Sequence, residues 1–371
     1  MEHGGQPQSR LGEEATDDRE PRSFPGHFWD WLGEETKQRQ RQLAIRAQEM
    51  YDEGRPLFTR EMIADAQRQI DQLQAGTMPP GKTLSVIGMD GVRYDNPRRE
   101  IDLRKEPDHV PVMTFTSINS LTDLSGRVYP CYGSDGVVPI NIATASSDSS
   151  YVERVEKVTA DQVAAALDAV IDSFSGRETW RSVKSIFDGA DLSRLEIDKI
   201  VAFGLGVPAR EALPGVADRP SCMQHALLLA LAALLEEKTG RRVRRIAQEP
   251  EYFDSCKQVL RARDVEVAEP ETGFLLVDEK TLVLTVACNV PVMQIVTELA
   301  RPAGMIWARV EPDEKPRQWW RDEDGGWISP HITDPSSPRV RELVKGYTEY
   351  TLTPIATAEL CGSAVYLRKE S

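Results

Sequence analysis

Cysteine is scarce in this 371-residue chain, and its few copies are scattered. Cys131, Cys222, Cys256, Cys288 and Cys361 show no CxxC spacing, which argues against a zinc knuckle or a disulfide framework and points to a reducing compartment. Long apolar runs are missing as well. The longest, Ala226 to Leu235, is about half of the roughly 20 residues a bilayer crossing needs and reads as a buried helix. The N-terminus, "MEHGGQPQSRLGEEATDDREPRS", has no apolar signal core and reads as a solvated tail over residues 1–24. Positive charge is the remaining deficit: 45 basic against 59 acidic residues leave a net charge of −14, which disfavours a general phosphate-binding surface. The expectation is a cytoplasmic globular protein with no membrane and no DNA partner. The length suffices for two or three domain-sized cores.

Residues 25–176 read as helix, small sheet, helix. "LFTREMIADAQRQIDQLQAG" places Ile63, Ala66, Ile70 and Leu73 on one face, with Thr59 as N-cap and Gly76 as stop. "TLSVIGMDGVRY" alternates around Asp90-Gly91 as a hairpin, and "VPVMTFTSI" and "GVVPINIAT" continue the strand character. Thr159 and Gln162 match a capping box ahead of Val163, Leu167, Val170 and Phe174.

Residues 177–310 alternate strand and helix. "IDKIVAFG", "RVRRIAQ", "VEV", "TLVLTVAC" and "AGMIWARV" are strands, separated by helices at Ser221 to Glu237, Asp254 to Arg263 and Pro291 to Leu299. This pattern predicts an α/β fold: a Rossmann-like, mostly parallel sheet with helices on both faces, plus the N-terminal helical and β-rich extension. Residues 311–371 are expected to pack on that core as a C-terminal extension.

Ligands of such sheets bind outside the carboxyl ends of the strands, so three strand ends matter. Gly204-Leu205-Gly206 lets backbone amides approach a ligand closely, Glu249 stands where a Rossmann fold grips a ribose hydroxyl, and Asn289 is a polar group at a helix start. The glycine turn is not a full G-x-G-x-x-G, because Pro208 and Ala209 follow, and a tight bend is the alternative reading. Glu249 reads equally as a surface acid before proline, Asn289 as an N-cap and His225 as a packed histidine. The arginines of "RRVRR", namely Arg241, Arg242, Arg244 and Arg245, form a local basic patch or a solvated strand start.

The blocks "IVAFGLG", "SCMQHALLLALAALLE", "AQEPEYFDSCKQVL" and "GFLLVDEKTLVLTVACNVPVMQIVTELARPAGMIW", in that order, resemble the SRR-like ("sensitivity to red light reduced") domain family, most closely its long fungal members. The resemblance to those members extends to "PLFTREMIADAQRQI" and "DPSSPRVRELVKGYTEYTLTP". A fungal branch of that family comprises arginine-containing cyclodipeptide synthases, and plant and animal members are associated with circadian and light-response regulation. Two positions depart from the pattern: Cys256 stands where an aspartate is usual, and the nearest string to an Asp-Asp-x-x-Glu motif is Asp17-Asp18-Arg19-Glu20 in the tail.

The resemblance implies a synthase that joins the amino acids of arginyl-tRNA and a second aminoacyl-tRNA into a diketopiperazine, with no cofactor and no metal. Such a site must hold a terminal adenosine, bind a guanidinium and deprotonate an amine. Gly204 and Gly206 with Ser221, Gln224, Asn289 and Gln294 would line the substrate. Asp254, Asp278 or Glu298 would meet the guanidinium. Glu249 or His225 would act as base and Tyr252 would hold the ester carbonyl. Ser221 or Cys222 could carry an aminoacyl group covalently, but a nucleophile needs an adjacent base and neither has one beyond nearby His225; Cys222 reads otherwise as a core thiol. The patch at Arg241, Arg242, Arg244 and Arg245 would meet tRNA phosphates. Two alternatives stand beside it: a non-catalytic regulatory protein, and a nucleotide- or S-adenosylmethionine-binding enzyme, since a strand, a G-x-G turn and an acid at the next strand end are also methyltransferase-like.

Overall fold

Local signals close the first helices where the sequence places them. In the computed structural model, which describes residues 33–79, 82–96, 109–123, 136–146, 154–268, 272–312, 320–321, 327–328 and 333–369, helix α1 spans Glu34–Asp52 and α2 spans Arg60–Gln74. The Thr59 hydroxyl accepts from the Met62 amide, and Gly76 takes the left-handed conformation at φ +65° just beyond the C-cap. The expected tail at 1–24 lies outside the described residues.

The hairpin around Asp90-Gly91 forms β1 (Ser85–Ile87) and β2 (Arg93–Asp95). Strand β3 (His109–Phe115), the turn helix α3 (Ile118–Leu121) and β4 (Ile140–Ser146) follow, with β3 and β4 antiparallel. Fully buried Asn96 holds the two hairpins together. Its amide donates to the Ile142 carbonyl at 2.8 Å and accepts from the Ile142 N–H at 2.9 Å, so an edge that would be left unpaired in the interior is satisfied.

Helices α4 (Ala160–Phe174), with the Thr159–Gln162 capping box, and α5 (Glu178–Gly189) lead into the central sheet. There β5 (Lys199–Phe203), the short α6 (Pro208–Glu211), α7 (Pro220–Thr239), β6 (Arg244–Gln248), α8 (Asp254–Arg261) and β7 (Val265–Val267) build one half. The turn helix α9 (Thr272–Leu275), β8 (Thr281–Thr285), α10 (Val292–Leu299) and β9 (Gly304–Ala308) build the other. Pro291 caps α10 rather than opening it. After the short strands β10 (Trp320–Arg321) and β11 (Trp327–Ile328) come α11 (Pro338–Lys345), β12 (Tyr347–Tyr350), α12 (Pro354–Glu359) and β13 (Ser363–Arg368).

The sheet has seven strands in the order β12-β13-β9-β8-β5-β6-β7. Strands β5 to β9 are parallel and β13 runs against both its neighbours. The fold is α/β and Rossmann-like. The C-terminal segment does more than pack on a finished core, because β12 and β13 complete the sheet itself.

Every residue of β5 and β8 is buried, as a parallel strand covered on both faces must be. Alternation then divides them: Ile200 and Ala202 join Leu227, Leu231 and Phe187 on one face, whereas Val201 and Phe203 join Ile63, Met113, Ile295 and Trp307 on the other. The N-terminal block is therefore one of the layers covering the sheet. No helix among the described residues is long and apolar enough to cross a membrane.

Candidate functional site

The strand order reverses between β5 and β8, and the connections on either side diverge there to leave a crevice at the carboxyl ends of the strands. A cavity of about 510 Å³ fills it, a volume suited to a nucleoside-sized ligand. Its wall begins at the turn after β5. Gly204 (φ +65°) and Gly206 (φ +75°) are both left-handed, and both are crowded: a Cβ on Gly204 would lie 2.5 Å from Cys288 Sγ, and one on Gly206 would lie 3.2 Å from Ser221 Cβ. Backbone conformation favours glycine at both, and at Gly204 space requires it as well. Ala287, opposite, is also left-handed at φ +52°, an uncommon state for a residue with a Cβ, and it too lines the cavity.

Glu249 follows the last residue of β6 and closes the floor. Its carboxylate accepts from the Gly206 amide at 3.1 Å and from the Glu251 amide at 3.3 Å. Burial raises its pKa above the ordinary glutamate value, and those two amides pull against the rise. The glycine turn and the acid, two separate strand ends in the sequence, are in direct contact.

Ser221 and Gln224 present their side chains from the first turns of α7 into the same space, and Asn289 does so from the turn after β8. Ser221 Oγ and Gln224 Oε1 are buried without a hydrogen-bond partner. A buried polar atom in that state costs free energy until something binds to it. Phe203 and Phe274, stacked at 4.4 Å between ring centres, give the cavity its apolar side.

His225 and Tyr252 do not line the cavity. His225 is fully buried, with Nδ1 2.7 Å from the Ser221 carbonyl and Nε2 2.5 Å from the Tyr252 hydroxyl. A carbonyl can only accept, so Nδ1 carries the proton and the tyrosine donates to Nε2. Each group is satisfied by the other, and together they fasten α7 to the turn after β6. Burial pushes the His225 pKa down to about 4. A histidine held neutral when folded but free to protonate when unfolded withdraws stability as pH falls below about 6.5, and by pH 5 the loss is about 2 kcal/mol. Glu211, Glu249 and Asp334, whose pKa values are raised by burial, push the other way, since each favours the fold more as pH falls. The histidine's part is isolated by comparison: chemical denaturation at pH 7 and pH 5 should show a loss in the wild type that exceeds the loss in His225→Gln by about 2 kcal/mol. Equal losses would mean the ring is already charged or hydrated in the fold.

The other expected residues lie elsewhere. Asp254 is exposed at the head of α8, and neither it nor Asp278 lines the cavity; Asp278 pairs with Lys199 at 2.8 Å. Buried Gln294 accepts from the Ile118 amide and donates to Asn119 and to the Pro335 carbonyl, which ties α10 to the N-terminal block. Glu298 pairs with Arg339 at 2.7 Å beside a separate groove. Arg244 and Arg245 open β6, so their cluster stands at the amino edge of the sheet, away from the crevice. Arg242 pairs with Asp264, Arg244 with Glu266, and Arg245 with Glu236.

One residue of the site escapes motif reading. Glu211, ten residues before Ser221, accepts from the Ser221 amide at 2.6 Å and the Cys222 amide at 2.8 Å, and it lines the cavity. The sequence held an indirect signal: the residue before α7 is Arg219, which cannot cap, so the helix needed an acceptor from elsewhere. Cys222 and Cys288 are buried thiols, the latter pushed up to about 12, so neither is poised as a nucleophile. No group of side chains suited to a metal ion occurs among the described residues.

Residues 170–348 match the family model of the SRR1 domain. The chain carries an SRR-like domain. It holds the five parallel strands and the whole crevice, whereas the N-terminal layer and β13 lie outside the matched stretch. No curated protein and no solved structure matches the chain significantly. The match therefore names a domain and no reaction.

Proposed function

We propose that the crevice of the SRR-like domain binds an adenosine-type nucleoside, and that the chain is a group-transfer enzyme using S-adenosylmethionine as donor. The observation that carries this reading is the contact between Glu249 and Gly206 at the switch point of the sheet. It sets a carboxylate beside a close-approach glycine turn, where a ribose diol is gripped in folds of this kind. The methyltransferase-like order of glycine turn and acid stands here in a sheet parallel but for one strand of its terminal hairpin; the step from that order to the reaction class is fold analogy. Glu249 would hold the ribose hydroxyls, Phe274 would flank the base, and Ser221, Gln224 and Asn289 would meet the polar end of the donor. What this chain's residues supply is binding and orientation, with the acceptor brought to a donor that is already activated.

Equilibrium binding of S-adenosylmethionine to the purified chain tests the proposal. Saturable binding is expected, weakened about tenfold or more in Glu249→Gln, because a charge-assisted hydrogen bond to each hydroxyl is exchanged for a weaker neutral one. The melting temperature of that variant should fall only modestly, since glutamine keeps an acceptor oxygen for one of the two amides that Glu249 serves. Absence of binding would sink the donor assignment.

The arginine-containing cyclodipeptide synthase is the second reading, favoured by the carboxylates Glu211 and Glu249 in one cavity, which suit a guanidinium. Against it stands the pairing of Arg242, Arg244 and Arg245 with acids at the far edge of the sheet. Incubation with arginyl-tRNA together with the other aminoacyl-tRNAs and mass spectrometry for a diketopiperazine separates the two, and a regulatory protein would give neither donor binding nor product.

A further inference from the structure

We infer that the crevice is built to refuse phosphate and to receive the positively charged end of its ligand, with Glu211 as the residue that sets this preference. The inference rests on the nucleoside reading for the identity of the ligand, but its charge argument stands on the backbone amides alone.

Nucleotide phosphates in open parallel sheets are held by the amides of the glycine turn and by the free N–H groups at the start of the helices beside the switch point. Here carboxylates of the chain itself take the Gly206 amide of that turn and the Ser221 and Cys222 amides at the start of α7, while the Gly204 amide is bonded to the Gln248 carbonyl. The Gly206 amide donates to Glu249. At the start of α7, Pro220 has no N–H, the Met223 amide is bonded to the Arg219 carbonyl, and the two amides between them both donate to Glu211. That helix start is saturated. Across the switch point, the Met293 amide at the start of α10 donates to Asp334 at 2.9 Å. Glu211 and Asp334 are only 7% and 8% exposed, so these are built contacts rather than surface encounters.

The charge around the cavity agrees. Arg210, Glu211, Glu249 and Glu251 are its charged lining residues, and Arg210 is paired with Glu251. A phosphate placed there would face the Glu211 and Glu249 carboxylates, which already take the Gly206, Ser221 and Cys222 amides, whereas an ammonium or sulfonium would be drawn to them. Ser221 Oγ and Gln224 Oε1, buried, unpartnered and facing the same space, are acceptors ready for the N–H groups of a protonated amine.

The test is a charge series on one scaffold, measured by calorimetry: 5′-amino-5′-deoxyadenosine, adenosine and adenosine 5′-monophosphate. The wild type should bind the amine about tenfold or more tightly than adenosine, and adenosine about tenfold or more tightly than the monophosphate. In Glu211→Gln, which keeps an oxygen to cap α7, the spread should shrink by about tenfold or more. A second arm needs no nucleoside: pyrophosphate should leave the melting temperature of the wild type unchanged and raise that of Glu211→Ala, whose helix amides are uncovered. Equal affinities across the series, tightest binding of the monophosphate, or stabilisation of the wild type by pyrophosphate would each overturn the inference while leaving a nucleoside site standing. If no adenosine compound binds but the pyrophosphate arm behaves as expected, the nucleoside reading falls and the refusal of phosphate is upheld.

Discussion

Replacing Arg339 by methionine is expected to cost the fold about 3 kcal/mol, the low end of the loss that follows when one partner of a buried ion pair is removed and the other stays behind, because this pair is only part-buried. Arg339 sits on α11 with its guanidinium over the Tyr51 ring, 3.8 Å from the ring centre. It donates to Glu298 at 2.7 Å and to the carbonyls of Tyr51 and Arg55 at the end of α1. One side chain thus joins α10, α11 and α1, and methionine can replace its stem but none of its donors. Glu298 would be left charged and largely enclosed. Burial already raises its pKa in the wild type, with Arg339 holding the rise in check. Without the arginine the folded pKa climbs further, so the deficit grows as pH rises above the unfolded value and shrinks as pH falls towards it. Denaturant titrations should therefore show a larger loss at pH 8 than at pH 5, and adding Glu298→Gln should recover part of it at pH 8. A loss below about 1 kcal/mol with no pH dependence would mean that water reaches the pair and screens it.

Gly204→Ala is the second change with a large expected effect, and it strikes stability and the crevice together. A left-handed residue with a Cβ costs about 1–2 kcal/mol, and overpacking adds about 1–3 kcal/mol. The new Cβ would lie 2.5 Å from Cys288 Sγ, 3.0 Å from its Cβ and 3.3 Å from its Cα, so a rotamer change alone cannot relieve it and the turn after β5 or β8 must move. Gly76→Ala is the control: Gly76 has the same φ of +65° and nothing within 4 Å of the added atom. The difference between the two variants isolates the steric part. We expect Gly204→Ala to melt well below Gly76→Ala and to lose donor binding, with Cys288→Ala restoring only part of the stability because its own Cβ remains. Equal melting temperatures would show that the walls of the crevice yield at little cost.

Much of this was legible from local pattern. Thr59, the Thr159–Gln162 box and the hairpin at Asp90-Gly91 fell where expected because caps and turns depend on residues three or four apart. The parallel strands were legible as unbroken apolar runs such as "KIVAF" and "TLVLT". The site was legible only in part. Gly204, Gly206 and Glu249 were found from their places at strand ends, and the structure brings them together with Ser221, Gln224 and Asn289. His225 and Tyr252 carry chemically able groups, yet no pattern in the chain tells that each is spent on the other.

By itself, then, the sequence determined the α/β class, the order of elements and the glycine turn with its acid, because each is written in residue type and short-range period. Tertiary structure alone decided the rest. It inserted β13 between β9 and β12, set Arg242, Arg244 and Arg245 at the amino edge beside their carboxylates, and turned Glu211 onto the start of α7. These are pairings between segments whose partners are chosen by backbone groups seeking satisfaction and by charges brought near in the fold, and no spacing along the chain encodes them.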